Sequence, residues 1–360
     1  MMYREHSGAR MTSATSPGPG AAAPVGAAGA TKDLRAIPIW RHPHMCLLDK
    51  VVNWLGAVFL RMHKLDASNV ASYRAMMHKA DGPGYKRAVD KAGWTVAKEV
   101  LPSGAEIFVH TSPTADGPVP LVLYVHGGGF VIGEARDAVG SALLSDLGEE
   151  YERPLAWASV EYRLAPEHPF PAAADDCAAA VELLAGRKEY SSLSIVGVSA
   201  GANLAIVTAA AAVRRGISVA ALVAICPFVD PTAISDSYRT NAHQGIAPLP
   251  FLATCWRFYV GDEDARSAAL KDWRVCPQTA EDAWRGPDGK PAAPPRAIIW
   301  TDLADSLCDE GAAVAKSLEK AGAKVLHLEA KATHCFGLHV DTAKKKTLLS
   351  EWAAILAASG

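Results

Sequence analysis

The chain has no Cys-x-x-Cys pair, no run rich in lysine and arginine, and no long uninterrupted apolar stretch. Each absence removes a class of function. Seven cysteines (46, 177, 226, 255, 276, 308 and 335) are odd in number and widely spread. They read as reduced or buried thiols of an intracellular protein, with a secreted form carrying one or two disulfides as the alternative. A net charge of −2 argues against nucleic acid as a partner, and Lys344-Lys345-Lys346 reads as the solvated face of a final helix. The apolar residues between Cys46 and Leu60 are interrupted by Asp49, Lys50 and Asn53, so they are too short and too polar for a membrane span. No apolar core of a signal peptide is present. No phosphate loop or dinucleotide fingerprint occurs. His42-Pro43-His44 has no acid at metal-ligand spacing, so no metal and no cofactor is expected.

What remains is a long, apolar chain with alternating patterns. Its 360 residues are 50% hydrophobic, enough to bury a large core. Residues 1–31 include Ser-Pro-Gly-Pro-Gly-Ala-Ala-Ala-Pro and are expected to be disordered. With Arg4, Arg10 and the single acid Glu5 they also admit a transit peptide. Residues 32–92 repeat apolar positions at near-helical spacing, first through Cys46–Leu60 and then through Val70, Tyr73, Met76 and Met77. Such an amphipathic pair needs an apolar surface to cover, or else docks on a membrane surface through Trp54, Phe59 and their neighbours. From residue 93 onward short β-branched runs alternate with helical patterns. Two strands around the turn Pro102-Ser103-Gly104 open the series, and strands near 121–125, 155–160, 194–196, 220–225, 297–300 and 324–328 follow. This predicts an α/β class fold with a mostly parallel central sheet and helices on both faces. Residues 228–275 break the rhythm, and the aromatic stretch Pro248–Tyr259 reads as a second helical piece above the sheet.

Four segments carry chemistry. Gly197-Val198-Ser199-Ala200-Gly201 follows an apolar strand and opens an Ala-rich helix. A strand, a sharp turn with Ser at its apex and a helix lift one hydroxyl above a sheet, and the flanking glycines avoid Cβ clashes. His126-Gly127-Gly128-Gly129-Phe130 ends another strand. Its backbone N–H groups at Gly128 and Gly129, with that of Ala200 after the serine, suit a tetrahedral oxyanion. Asp302 and Asp305 lie just past a third strand, and His334 and His339 follow a fourth. The order Ser, Asp, His supplies a nucleophile, a carboxylate that fixes an imidazole, and the imidazole itself. From the residues alone, either acid and either histidine can fill its role. Tyr162-Arg163-Leu164-Ala165-Pro166-Glu167-His168-Pro169-Phe170-Pro171-Ala172 is a proline-rich loop whose charges are expected to pair internally and brace it.

Together these motifs resemble the hormone-sensitive-lipase-like family of α/β-hydrolases, over roughly residues 90–357. The family's Asp-Pro-Leu-x-Asp-Glu-Gly segment is similar to Asp305-Ser306-Leu307-Cys308-Asp309-Glu310-Gly311, which selects Asp305 over Asp302. Its His-Gly-Phe segment is similar to His334-Cys335-Phe336, which selects His334 over His339. The resemblance implies the α/β-hydrolase fold, a helical cap built from residues 32–92 with a contribution from 228–275, and a catalytic domain over 93–360. It implies the triad Ser199, Asp305 and His334, the oxyanion hole Gly128, Gly129 and Ala200, and support from His126, Gly127 and Glu167. Two departures stand out. Val198 occupies a place where many relatives have Asp, and Ser306 replaces a proline, where it is expected to start a turn or cap the next helix. The implied activity is hydrolysis of small to medium hydrophobic carboxylic esters through an acyl-enzyme. The alternatives are an amide or acetyl-ester deacetylase, a membrane-associated lipid or sterol-ester hydrolase, and a ligand-binding protein like the family's plant gibberellin receptors. Oligomeric state is open, a homodimer included.

Overall fold

The computed structural model describes residues 38–359 apart from 63, 243 and 279–282. The tail expected to be disordered, residues 1–31, and the start of the first helical segment lie outside the described residues. The short β-branched runs form β1 (Thr95–Val100), β2 (Glu106–Thr111), β3 (Val119–Val125), β4 (Ala156–Glu161), β5 (Tyr190–Val198), β6 (Ala221–Ile225), β7 (Arg296–Asp302) and β8 (Val325–Ala330). They make one sheet in the order β1-β2-β4-β3-β5-β6-β7-β8. β1 pairs antiparallel with β2, and β2 with β4; all other pairs are parallel.

The helical patterns form α1 (Leu47–Met62), α2 (Val70–Ala92), α3 (Ala138–Tyr151), α4 (Ala172–Ala185), α5 (Ala200–Arg214), α6 (Asp236–Thr240), α7 (Leu249–Tyr259), α8 (Glu263–Ala269), α9 (Cys308–Lys320), α10 (Gly337–Val340) and α11 (Thr342–Ser359). Every residue of β3 and β6 is buried, which is why these runs are continuously apolar rather than alternating. Side chains of β3 still divide between the faces. Leu121, Leu123 and Val125 join one core with Leu204 and Ile206 of α5, whereas Val122 and Tyr124 join the other with Leu147 of α3 and Trp352 of α11.

The parallel strands end on one edge, and each delivers a chemical group there. β3 runs into the glycine loop, β5 into Ser199, β6 into Cys226, β7 into Asp302 and Asp305, and β8 into the loop holding His334. Two helical segments reach the same edge. α7 buries Leu252, Cys255, Trp256 and Tyr259, and Tyr259 stacks on Phe130 of the glycine loop at 3.9 Å and 8°.

α1 departs from the amphipathic expectation. Its buried face carries the polar pair Asp49 and Asn53, while Leu47, Leu48, Trp54 and Leu55 are exposed. Backbone satisfaction explains the inversion. Asp49 accepts from the Thr333 N–H (3.0 Å) and Oγ1 (2.5 Å), and Asn53 Oδ1 accepts from the Gly245 N–H (2.9 Å). These bonds tie α1 to two loops whose buried N–H groups otherwise have no solvent to bond. Among the described residues, no helix is long and apolar enough to cross a membrane.

Candidate active site

Ser199 stands between β5 and α5 with φ 58° and ψ −119°, a conformation L-residues rarely adopt. The elbow is clamped from three sides. The Ser199 N–H donates to Ile225 O (2.8 Å), and the N–H groups of Phe228 and Ala202 donate to Ser199 O (3.2 and 3.0 Å). Glycine is needed on both flanks. A Cβ at Gly197 would collide with the Gly201 carbonyl, and one at Gly201 with the Val125 and His126 carbonyls. Val198 is buried at the end of β5 and packs there as an apolar side chain.

The glycine loop turns tightly beside the elbow. Gly128 has φ 107° and Gly129 φ 63°; a Cβ on the first would strike Ile132 O, and one on the second Cys255 Sγ. Gly128 O accepts from the N–H groups of Val131 and Ile132 (3.1 and 3.0 Å). The Gly128 and Gly129 N–H groups donate to no described residue. That of Ala200 is the first of α5, where a helix leaves its N–H groups without internal partners. His126 is buried, bonds Gly127 O through Nδ1 (2.8 Å), and stacks on Tyr162 at 4.1 Å. Burial pulls its pKa down to about 4, so it sits in the loop as a neutral ring.

The structure pairs His334 with Asp305. His334 Nδ1 lies 2.6 Å from Asp305 Oδ2, and both residues are buried. The other carboxylate oxygen of Asp305 accepts from Leu307 N–H (3.0 Å) and Gln244 Nε2 (3.2 Å). Burial alone would lower the His334 pKa. The Asp305 charge and hydrogen bond, with Cys226 beside it, outweigh that and raise it well above the ordinary imidazole value. Asp302 does not touch His334. It accepts from Trp300 Nε1 (3.0 Å), Cys226 Sγ (3.4 Å) and the Gly337 N–H (3.4 Å), and burial raises its pKa to about 7. His339 packs on Phe336 and makes no bond to Asp305.

Ser199, His334, His339 and Gly127–Gly129 line one cleft of about 320 Å³, walled by Ile132, Val139, Phe251 and Leu252. A larger cavity of about 620 Å³ lies between Trp40, Trp54 and Pro250, sharing the Phe251 wall. Its described lining contains no serine, cysteine or histidine.

One local expectation needs correction, and of the two roles expected of Ser306, turn and cap, only the cap fails. The charges of the proline-rich loop do not pair with one another. Arg163 reaches Asp176, buried in α4 (Nη2–Oδ1 2.9 Å), and Glu167 meets Arg74 of α2 in a bidentate pair (2.9 and 2.8 Å). Arg74 also donates to the carbonyls of Val131 and Ala165 (both 2.8 Å), so the loop is tied to helices on either side. Ser306 caps no helix, since Leu307 holds the N-cap position of α9 without a side-chain bond. The Ser306 hydroxyl instead accepts from Gln244 Nε2 (2.6 Å), while the turn after Asp305 closes through Cys308 N–H to Asp305 O (3.2 Å).

The network around the pair was not legible in sequence. Asn241 Nδ2 donates to Asp305 O (2.7 Å), and its Oδ1 bonds the buried His42 ring (2.9 Å). Asn241 and Gln244 lie in the segment that breaks the strand–helix rhythm, where no periodicity assigns a face. His42 is the histidine that the sequence leaves in a plain loop.

A family model described as alpha/beta hydrolase fold matches residues 122–338. The chain is 30% identical over 232 residues to esterase LipI of Mycobacterium tuberculosis, covering 62% of this chain and 67% of that protein. It is 32% identical over 217 residues to an arylesterase of Saccharolobus solfataricus, covering 57% and 64%. These matches span about two thirds of each relative's length. A hyperthermophilic esterase from the archaeon Pyrobaculum calidifontis superposes with a TM-score of 0.70 at 26% identity, covering 87% of this chain and 98% of that one.

Proposed function

The chain belongs to the alpha/beta hydrolase fold family, and on that premise we propose that it is a serine carboxylesterase acting through an acyl-enzyme. The observation that carries this reading is that His334, bonded to the buried Asp305, lines the same cleft as Ser199 and the glycine loop. Ser199 Oγ attacks the ester carbonyl, and His334 takes its proton. Asp305 holds the imidazole in the correct tautomer and stabilises the imidazolium. The N–H groups of Gly128, Gly129 and Ala200 stabilise the tetrahedral oxyanion. His334 then gives its proton to the departing alcohol, and water repeats the sequence to release the acid.

In this reading α1, α2 and the 228–275 segment are the cap. Glu167, through Arg74, anchors that cap to the glycine loop, while His126 and Gly127 brace the loop from below. The apolar walls and modest volume of the cleft favour small to medium hydrophobic acyl groups. Seven cysteines, none of them in a disulfide, support an intracellular setting.

The test is hydrolysis of p-nitrophenyl esters from acetate to long acyl chains, with Ser199→Ala as control. Turnover with an optimum at short to medium chains, absent in the variant, is the expected result. No turnover on any ester by folded protein would sink the esterase reading and favour a ligand-binding role. A second variant reports on the oxyanion hole. Gly128→Ala forces a Cβ onto Ile132 O at a φ that only glycine takes freely. Displacing that donor is expected to lower kcat by about 10²- to 10³-fold. An unchanged kcat would exclude Gly128 from the hole.

One observation favours a second reading, a lipid-ester hydrolase working at a membrane surface. Leu47, Leu48, Val51, Trp54, Leu55 and Val58 are exposed along α1. In this reading they enter the headgroup boundary, with Lys50 and Lys64 nearby in the sequence. Co-sedimentation with anionic vesicles that is lost in Trp54→Glu is the expected outcome. Vesicle binding unchanged by Trp54→Glu, or no binding at all, removes this reading.

A further inference from the structure

The two cysteines nearest the base are far apart in sequence, and the fold gathers them. Cys226 leaves the end of β6, and Cys335 directly follows His334 in the loop after β8. Their Sγ atoms and one imidazole nitrogen of His334 all lie within 4.8 Å of one another. No disulfide joins the thiols. We propose that Cys226, Cys335 and His334 form a binding site for a thiophilic divalent cation such as zinc, whose occupancy switches off the esterase chemistry proposed above.

Three features of the cluster fit the ion. Two thiols and an imidazole are the donor set that selects zinc or cadmium over magnesium or calcium. Tetrahedral zinc holds such donors about 3.5–3.8 Å apart, given bonds of about 2.0 Å to nitrogen and 2.3 Å to sulfur. The cluster therefore needs closing by at most about 1.3 Å, not rebuilding. Binding releases two thiol protons to solvent, and the imidazolium proton where His334 is charged; two thiolates neutralise the 2+ charge, so the buried complex carries no net charge. His334 and Cys335 both line the cleft, which gives the ion an entry path and a water as fourth ligand. Asp302, 3.4 Å from Cys226 Sγ, accepts from the free thiol and lies beside the first ligand.

Inhibition follows whichever nitrogen is used. Nδ1 makes the bond to Asp305, and Nε2 is the atom that must take the Ser199 proton. An ion on either one removes the general base. The inference rests on the esterase reading only for this consequence; the binding itself does not.

The experiment has two readouts on the full, reduced chain. Cadmium titration is followed by the thiolate-to-metal absorption band, and zinc inhibition by p-nitrophenyl butyrate hydrolysis, scaled to each variant's own metal-free rate. One cadmium per chain with a thiolate band is expected, with inhibition relieved by EDTA. Cys226→Ser and Cys335→Ser should each weaken the metal by at least about 100-fold, since even an outer-shell partner's loss costs 10–100-fold. If Cys226→Ser fails to fold, Cys335→Ser, whose side chain reaches the cleft, carries the comparison. A thiolate band of undiminished affinity in Cys335→Ser overturns the proposal. So does zinc-saturated enzyme with full turnover, or inhibition relieved by dithiothreitol and not by EDTA, which would mean thiol oxidation. If the wild type hydrolyses no ester, the cadmium band still decides whether the site exists.

Discussion

Ser199→Ala is expected to lower kcat on a short p-nitrophenyl ester by about 10⁴- to 10⁶-fold while leaving the melting temperature close to that of the wild type. The two halves of that expectation have separate causes. The hydroxyl makes no capping bond at the start of α5, so its removal leaves no buried partner unpaired. The strained φ of 58° is imposed by the bonds from Ser199 N–H to Ile225 O and onto Ser199 O, all backbone, and alanine keeps them. Chemistry, by contrast, loses the nucleophile of the proposed mechanism, which the elbow holds in the cleft. His334→Ala should cost a similar factor, because an unactivated hydroxyl is a poor nucleophile at neutral pH. The double variant should be little worse than either single one, since the two groups act as a unit. Steady-state kinetics on the three proteins, with circular dichroism as the folding check, measures this. Losses that multiply in the double variant would mean that Ser199 and His334 act in separate steps.

The sheet was legible because its signals are local. A buried parallel strand must be apolar on both faces, and Val119–Val125 and Ala221–Ile225 satisfy that over their whole length. The elbow was legible because only glycine fits at 197 and 201, where backbone carbonyls fill the space of a Cβ. The choice between Asp302 and Asp305 was not local. Asp302 ends β7 and Asp305 lies three residues beyond it, and only the resemblance to a family motif singled out Asp305, the acid that bonds His334. Hydrogen bonds between distant segments left no trace in the sequence at all. Asp49 and Asn53 looked like interruptions of an apolar helix and prove to be its buried face, holding Thr333 next to His334. Nothing in periodicity distinguishes a polar residue that faces water from one that meets an orphan backbone N–H 284 positions away. The same holds for Cys226, whose nearness to His334 exists only after β6, β7 and β8 are laid side by side.

Asp305→Asn is the second large effect, and its pH profile carries more than its rate. In the proposed mechanism His334 must be neutral to accept the serine proton, so turnover is expected to be lost as pH falls through the His334 pKa. Burial pulls that pKa down, but the Asp305 charge and hydrogen bond push it well above the ordinary value, so the acid limb should lie above about pH 6.5. Asparagine leaves burial unopposed by that charge. The imidazole then stays neutral to lower pH, and the acid limb should move down. The plateau falls nevertheless, by about 10⁴-fold, because an amide cannot hold the tautomer or stabilise the imidazolium. Asp302→Asn separates this from a general loss of negative charge. Asp302 is also buried, but its pKa of about 7 leaves it near half-protonated at neutral pH, and its bonds go to Trp300, Cys226 and Gly337. None of these bonds reaches His334, so the rate should stay within about tenfold of the wild type and the acid limb near the wild-type position. A collapse in Asp302→Asn with Asp305→Asn spared would transfer the role of triad acid to Asp302. Equal collapse in both, with no movement of the acid limb in either, would mean that the pair of carboxylates stabilises the site as a charge cluster and that neither orients the base.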